Sequence, residues 1–254
     1  MNDRSNDNFI LKAAAEFVIY FCATLGISDM VLNTALLKKT GWAEDKNIPG
    51  TMMMCCIFPA LVIAFGYIKG GVRFDLKTMI VYVVMASLGA YMGAGKMLSM
   101  DVEKLKKIIG FAMLISMAIL IVRLILSRGE AGTQTGLHGW QFLIGIPFFY
   151  ALGFFNNFGV PIKPPAMAFF LLIGVPPLTA LGIMSMAFIG SWSAASRIYR
   201  SERYDKSMFK AAAIFGSIGA AIGVRFAVSI NTYLLTAITL FFMAYIAYSM
   251  LKKQ

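Results

Sequence analysis

The chain has 254 residues, 59% of them hydrophobic and only 14% charged, with a mean hydropathy of +0.75 and a formal net charge of +11. A soluble domain lies nearer half apolar and a quarter charged, so these figures exclude an ordinary soluble globular protein and point to an all-α integral membrane protein. The basic residues fall in connections and at the ends of apolar runs, where Lys and Arg set topology and meet anionic lipid heads, so the charge is no footprint of nucleic acid.

In chain order, residues 1–9 (MNDRSNDNF) form a polar amino terminus. A membrane helix needs roughly 20 apolar residues to cross about 30 Å of hydrocarbon. Runs at about 10–26, 50–69, 77–95, 107–127, 139–158, 177–196, 208–227 and 231–251 meet that length. They are too long and too uniformly apolar for barrel strands, so eight full transmembrane helices are expected. Glu16 sits early in the first run, which argues against a cleaved signal peptide. Lys12 and Glu16, spaced i and i+4, are expected to pair with each other. Cys22, Cys55 and Cys56 lie inside apolar runs without metal-ligand spacing and read as core residues. The single histidine, His138, stands in the connection GTQTGLHGW. No metal or cofactor site and no P-loop is evident.

Two shorter segments interrupt the pattern. GISDMVLNTALLKKTG (26–41) follows the first long run, and GVPIKPPAMAFFLLIG (159–174) follows the fifth. Between their glycines each segment reaches roughly 21 Å as helix, too short to span. Pro161, Pro164 and Pro165 are expected to delay a regular helix until about Ala166.

The long runs also repeat. SLGAYMGAGKMLSM (87–100) recurs 130 residues later as SIGAAIGVRFAVSI (217–230), keeping Ser87, Gly89, Ala90, Gly93 and Ser99 as Ser217, Gly219, Ala220, Gly223 and Ser229. The two short segments match at an offset of 133. The chain therefore reads as two homologous halves, a first transmembrane repeat at 10–127 and a second at 139–254, joined by a linker at 128–138. Small residues at G-x3-G spacing let helix backbones approach closely in lipid, so packing is the expected role of the repeated glycines. If each short segment joins its preceding helix in a broken crossing pair, the halves are inverted. Most of the 23 Lys and Arg then fall on the amino-terminal side. The positive-inside tendency favours that arrangement, with both termini in the cytoplasm of a multi-pass inner (plasma) membrane protein.

Two halves, each with a glycine-bounded short segment followed by an apolar helix and an xGAxxG helix, resemble the sulfite exporter TauE/SafE family of membrane permeases. The likeness is best in SIGAAIGVRFAVSINTYLLTAITLFF and in FGVPIKPPAMAFFLLIGVPPLTALGIMSM. There Gly159, Val160-Pro161, Gly174, Pro176-Pro177 and Ala180 match the family pattern, whereas its run of consecutive glycines is replaced by NNFG and GISD. The resemblance implies a secondary transporter of a small organic or inorganic anion, of sulfite or sulfonate type.

Interrupted segments in corresponding positions mark a transporter's binding site, and ionisable groups at membrane depth are functional candidates by default. Asp29 in the first segment and Lys163 in the second stand one position apart in the repeat register and are expected to face each other. In the transport reading Lys163 attracts the anion and Asp29 carries a proton or releases Lys163 between cycles; a structural ion pair is the plainer reading. Ser28, Asn33, Asn156 and Asn157 are candidate neutral donors to the anion, and Thr51 and Ser185 are candidate cavity-lining hydroxyls. Each has a structural alternative, as a helix cap or a backbone-bonded hydroxyl. Trp192 fits an aromatic interface belt. Other partners are the lipid bilayer, a coupling proton and a second copy in a homodimer. An anion-selective channel is the alternative function. A membrane-embedded enzyme would need a nucleophile with a base or a clustered metal set, and neither stands out.

Overall fold

The computed structural model describes residues 3–96, 133–156, 163–189 and 192–231, with individual positions between 234 and 248. Among them helix makes up 82% and no strand occurs. The run at 107–127 and most of 231–251 lie outside the described residues. The helices are α1 (Asp3–Ala23), α2 (Asp29–Thr40), α3 (Ile48–Cys55), α4 (Ile57–Lys69), α5 (Leu76–Lys96), α6 (Gly139–Asn156), α7 (Lys163–Leu172), α8 (Pro177–Ile189), α9 (Trp192–Ser201), α10 (Lys206–Ala211) and α11 (Ser217–Ser229). A π-helical turn, Ala212–Gly216, joins α10 to α11. Among the described residues three stretches are long and apolar enough to cross a membrane: Asp45–Lys69, Leu76–Gly93 and Lys206–Ser229.

The two interrupted segments are short helices with defined ends. α2 stops where Gly41 takes a left-handed backbone (φ 65°) and its N–H bonds the Leu37 carbonyl at 2.9 Å. α7 stops before Gly174, also left-handed at φ 91°. One expectation is corrected here. α7 begins at Lys163, three residues before Ala166, because Pro164 and Pro165 fit within the first turn, whose N–H groups have no intrahelical acceptor. The run at 50–69 is also divided, by a break at Cys56 between α3 and α4.

Packing follows the sequence repeat contact by contact. α5 lies along α6, and α11 lies along α1. A Cβ added at Gly89 would collide with the Tyr150 carbonyl; one added at Gly219 would collide with the Phe17 carbonyl. Gly89 and Gly219 are 130 residues apart and Phe17 and Tyr150 are 133 apart, the same two offsets seen in the sequence. Gly153 meets Ala86 as Gly216 meets Tyr20, again at those offsets. Further contacts pair off in the same way: α2 with α3 and α7 with α8, α4 with α11 and α9 with α5, α10 with α3 and α5 with α8.

Even the helix starts correspond. Asp75 precedes α5, and its Oδ2 accepts from the Thr78 N–H at 2.7 Å and the Thr78 hydroxyl at 2.6 Å. Asp205 caps α10, and its Oδ1 accepts from the Met208 N–H at 2.7 Å. The Thr78 hydrogen bonds hold the Asp75 carboxyl below the usual carboxylate range. A depressed folded value means that this cap contributes fully above the unfolded value of about 3.9 and is lost as pH falls through the folded one. Asp75→Ala is therefore expected to cost about 1 kcal/mol at neutral pH, with the deficit shrinking in acid. Thermal unfolding of both proteins across acid pH reads this, and a deficit independent of pH would contradict it.

Large apolar side chains point outward in stripes of i, i+4 spacing. Leu76, Ile80, Val84 and Leu88 do so on α5, and Ile214, Ile218, Ile222 and Phe226 do so along the π turn and α11. Contiguous exposed apolar surface of this kind marks contact with lipid or protein. The interior is aromatic on the α5–α6 side, where Tyr82 stacks on Phe149 with ring centroids 4.3 Å apart and 5° between planes. It is polar at the starts of α2 and α7.

Candidate functional site

The site is built from the first residues of the two short helices. Asp29 opens α2 and Lys163 opens α7. The Lys163 Nζ lies 2.5 Å from Asp29 Oδ1, with side-chain exposures of 9% and 5%. An ion pair this deeply buried costs desolvation on both sides, so it persists only with close contact and polar neighbours. The helix starts also differ in what they offer an anion. At α2 the first turn keeps its N–H groups, since the first intrahelical bond runs from Leu32 N–H to the Ser28 carbonyl at 3.2 Å. At α7, Pro164 and Pro165 remove two N–H donors, and the Lys163 ammonium supplies the positive charge instead.

Asn33 follows Asp29 by four positions on α2, and Asn156 reaches Met53, which packs on Met30 next to Asp29 in the chain. Asn33, one turn into α2, is 2% exposed, and its Oδ1 has no hydrogen-bond partner. Asn156 ends α6 and is 1% exposed. Its Nδ2 approaches the Met53 Sδ at 3.5 Å, and its Oδ1 has no partner. Ser28 occupies the N-cap position of α2 and is buried, but its side chain makes no capping bond. Asn157 lies outside the described residues.

The two hydroxyls are engaged elsewhere. Thr51 Oγ1 donates to the Asn47 carbonyl at 2.8 Å and accepts from the Asp205 N–H at 2.9 Å. It ties the start of α3 to the start of α10 and has no donor left for a solute. Ser185 Oγ donates back to the Leu181 carbonyl of its own helix at 2.7 Å. Trp192 is 46% exposed at the start of α9, as an interface residue would be.

The expected Lys12–Glu16 pair does not form. Lys12 Nζ lies 3.3 Å from Asp205 Oδ1 and 5.8 Å from the centre of the Trp42 ring. The capping carboxylate 193 positions away outcompetes a neighbour on the same helix. Glu16 instead faces inward, fully buried, and neither carboxyl oxygen makes a hydrogen bond of good geometry. The Asn33 amide, the Cys55 thiol and the Asp29 carboxylate are its polar neighbours, and the buried Tyr20 hydroxyl also lies near Glu16 and Asp29. From the sequence, Glu16 was paired with Lys12 and Tyr20 was passed over. The signal available was a carboxylate in the middle of an apolar run, four residues before a tyrosine on the same face.

No family model, no curated protein and no solved structure matches this chain, so the likeness to the TauE/SafE permeases stands on the sequence motifs alone. Of those motif residues, Gly159, Val160 and Pro161 lie outside the described residues.

Proposed function

We propose that this protein is a secondary transporter of a small anion, working by alternating access at the Asp29–Lys163 pair. The observation that carries the reading is the pair itself, a buried ammonium and carboxylate joining the first residues of two short helices inside an apolar helical protein. The start of α2, which keeps its N–H groups, and the Lys163 ammonium meet at a single carboxylate, and such a field attracts negative charge. An entering anion takes Lys163 from Asp29, and the pair re-forms when the anion leaves.

The matched contacts of α5 on α6 and α11 on α1 support two repeats clasping the site. Their inversion and a bundle of eight crossing helices belong to the same reading, from the charge balance of the loops and the lengths of the apolar runs. The setting is the inner membrane with both termini in the cytoplasm, by the charge balance of the loops. The TauE/SafE likeness makes sulfite or a sulfonate the substrate class, and proton coupling supplies the driving force. Among the described residues, Asp29 and Glu16 are the buried carboxylates able to carry that proton. Homodimerisation through an outward apolar stripe is compatible with this design.

Purified protein in liposomes tests the reading. Labelled sulfite, sulfate, a sulfonate, sulfoacetate and a dicarboxylate are offered in turn. Saturable uptake of a sulfur anion is expected. Uptake that rises linearly with concentration would favour a channel, and no uptake of any of the five would end the sulfur-anion assignment.

A further inference from the structure

We infer that Glu16 is the proton-binding site of this protein and that its proton travels with the anion, an inference that rests on the transport reading above. Among the described residues the centre holds two carboxyl groups, Glu16 and Asp29, and one ammonium, Lys163. Asp29 Oδ1 has the Lys163 ammonium 2.5 Å away, although like both Glu16 oxygens it makes no hydrogen bond of good geometry, whereas the buried Glu16 oxygens have no ion pair among the described residues. An ionised carboxylate held this way in an apolar interior is compensated by a cation or neutralised by a proton.

The neighbours favour the proton. The Asn33 amide lies beside Glu16, and its own Oδ1 has no partner. A neutral carboxyl both donates and accepts, as does a primary amide, so one proton provides partners on both sides. The charged and titratable groups around Glu16 are otherwise occupied or neutral. On α1 itself, Lys12 is held by Asp205, and Tyr20 is a buried phenol. From α2 comes Asp29, and from the start of α7 Lys163, each holding the other. The end of α3 contributes Cys55, and the α3–α4 break contributes Cys56. Of the elements packed on α1 from the far side, α10 turns Lys206 and Lys210 to the exterior and α11 does the same with Arg225.

The consequence for transport is electrostatic. With Glu16 ionised the centre carries one net negative charge and repels an anion. With Glu16 protonated the centre is neutral, and the anion can displace Asp29 from Lys163. Proton and anion therefore enter together, the proton on a Glu16 oxygen and the anion on the Lys163 ammonium. Both are released when the site opens to the other side.

Two measurements test this. In the first, sulfite uptake into liposomes is recorded with and without a pH gradient, acid outside, for wild type and Glu16→Gln. One proton per anion gives about tenfold more accumulation per pH unit of gradient in wild type. Glu16→Gln is expected to transport sulfite only down its own gradient. Wild-type uptake driven by sodium and indifferent to pH, or a Glu16→Gln protein still driven by the pH gradient, overturns the inference while leaving the transporter standing. The second measurement needs no substrate: infrared difference spectra of the lipid-embedded protein between acid and alkaline pH. A carbonyl-stretch band of a buried, protonated carboxyl is expected in wild type, retained in Asp29→Asn and lost in Glu16→Gln. If this holds while none of the offered anions is taken up, Glu16 is a proton site and the transport reading fails. A band that persists in Glu16→Gln, or no such band in wild type, overturns the assignment to Glu16.

Discussion

Replacing Lys163 with methionine is expected to destabilise the protein by about 3–5 kcal/mol, as removing one member of a buried ion pair does. The loss arises because Asp29 remains, 4% exposed, with its charge unmatched and a second buried carboxyl, Glu16, nearby. The double neutral variant, Asp29→Asn with Lys163→Met, is expected to recover most of that loss, because buried pairs replaced together by neutral groups are often no less stable than the original. Thermal unfolding of the three proteins in lipid nanodiscs reads the difference. A single variant as stable as wild type would mean that water or another group already compensates Asp29, and the site as described here would be wrong.

The second large effect concerns the glycines. Gly89→Ala and Gly219→Ala are each expected to cost about 1–3 kcal/mol, the usual penalty for overpacking. The obstacle is a backbone carbonyl in both cases, Tyr150 for one and Phe17 for the other, so no side chain can rotate out of the way. The two substitutions should also resemble each other, because they push apart equivalent helix pairs. Ala221→Leu on the outward face of α11 serves as the control and is expected to change stability by less than about 0.5 kcal/mol. The same unfolding measurement applies. If Gly219→Ala were harmless and Gly89→Ala severe, the two contacts would not be energetic equivalents.

Much of this was legible in the sequence because lipid simplifies the problem. Helices in a bilayer satisfy their own backbone groups, so apolar run length alone anticipates elements such as α5 and α6. The repeated SLGA and SIGA blocks pointed to close packing, and the structure places Gly89 and Gly219 against backbone in matched positions. The Asp29–Lys163 meeting was readable from repeat register. The start of α7 was missed because a proline rule for helix interiors was applied to a first turn, where prolines are tolerated. Thr51 was read as cavity-lining when it ties two helix starts together, a distinction that needs the position of Asp205, 154 residues away. Glu16 was misread for a similar reason: spacing on one helix offers Lys12 as its partner, and only the tertiary fold shows that Asp205 takes the lysine instead. The cap correspondence of FDLKT (74–78) and YDKSM (204–208) was visible at the 130-residue offset, but an aspartate before an apolar run signals a cap only once the helix start is known.

If the anion binds at the Asp29–Lys163 pair, a folded protein without the pair cannot transport it. Sulfite uptake by liposomes carrying the double neutral variant, Asp29→Asn with Lys163→Met, tests that most directly, because this protein is expected to fold. This variant is expected to show a near-wild-type unfolding temperature and no saturable uptake. Wild-type uptake by the same folded variant would show that the anion passes elsewhere and that the pair serves only the fold.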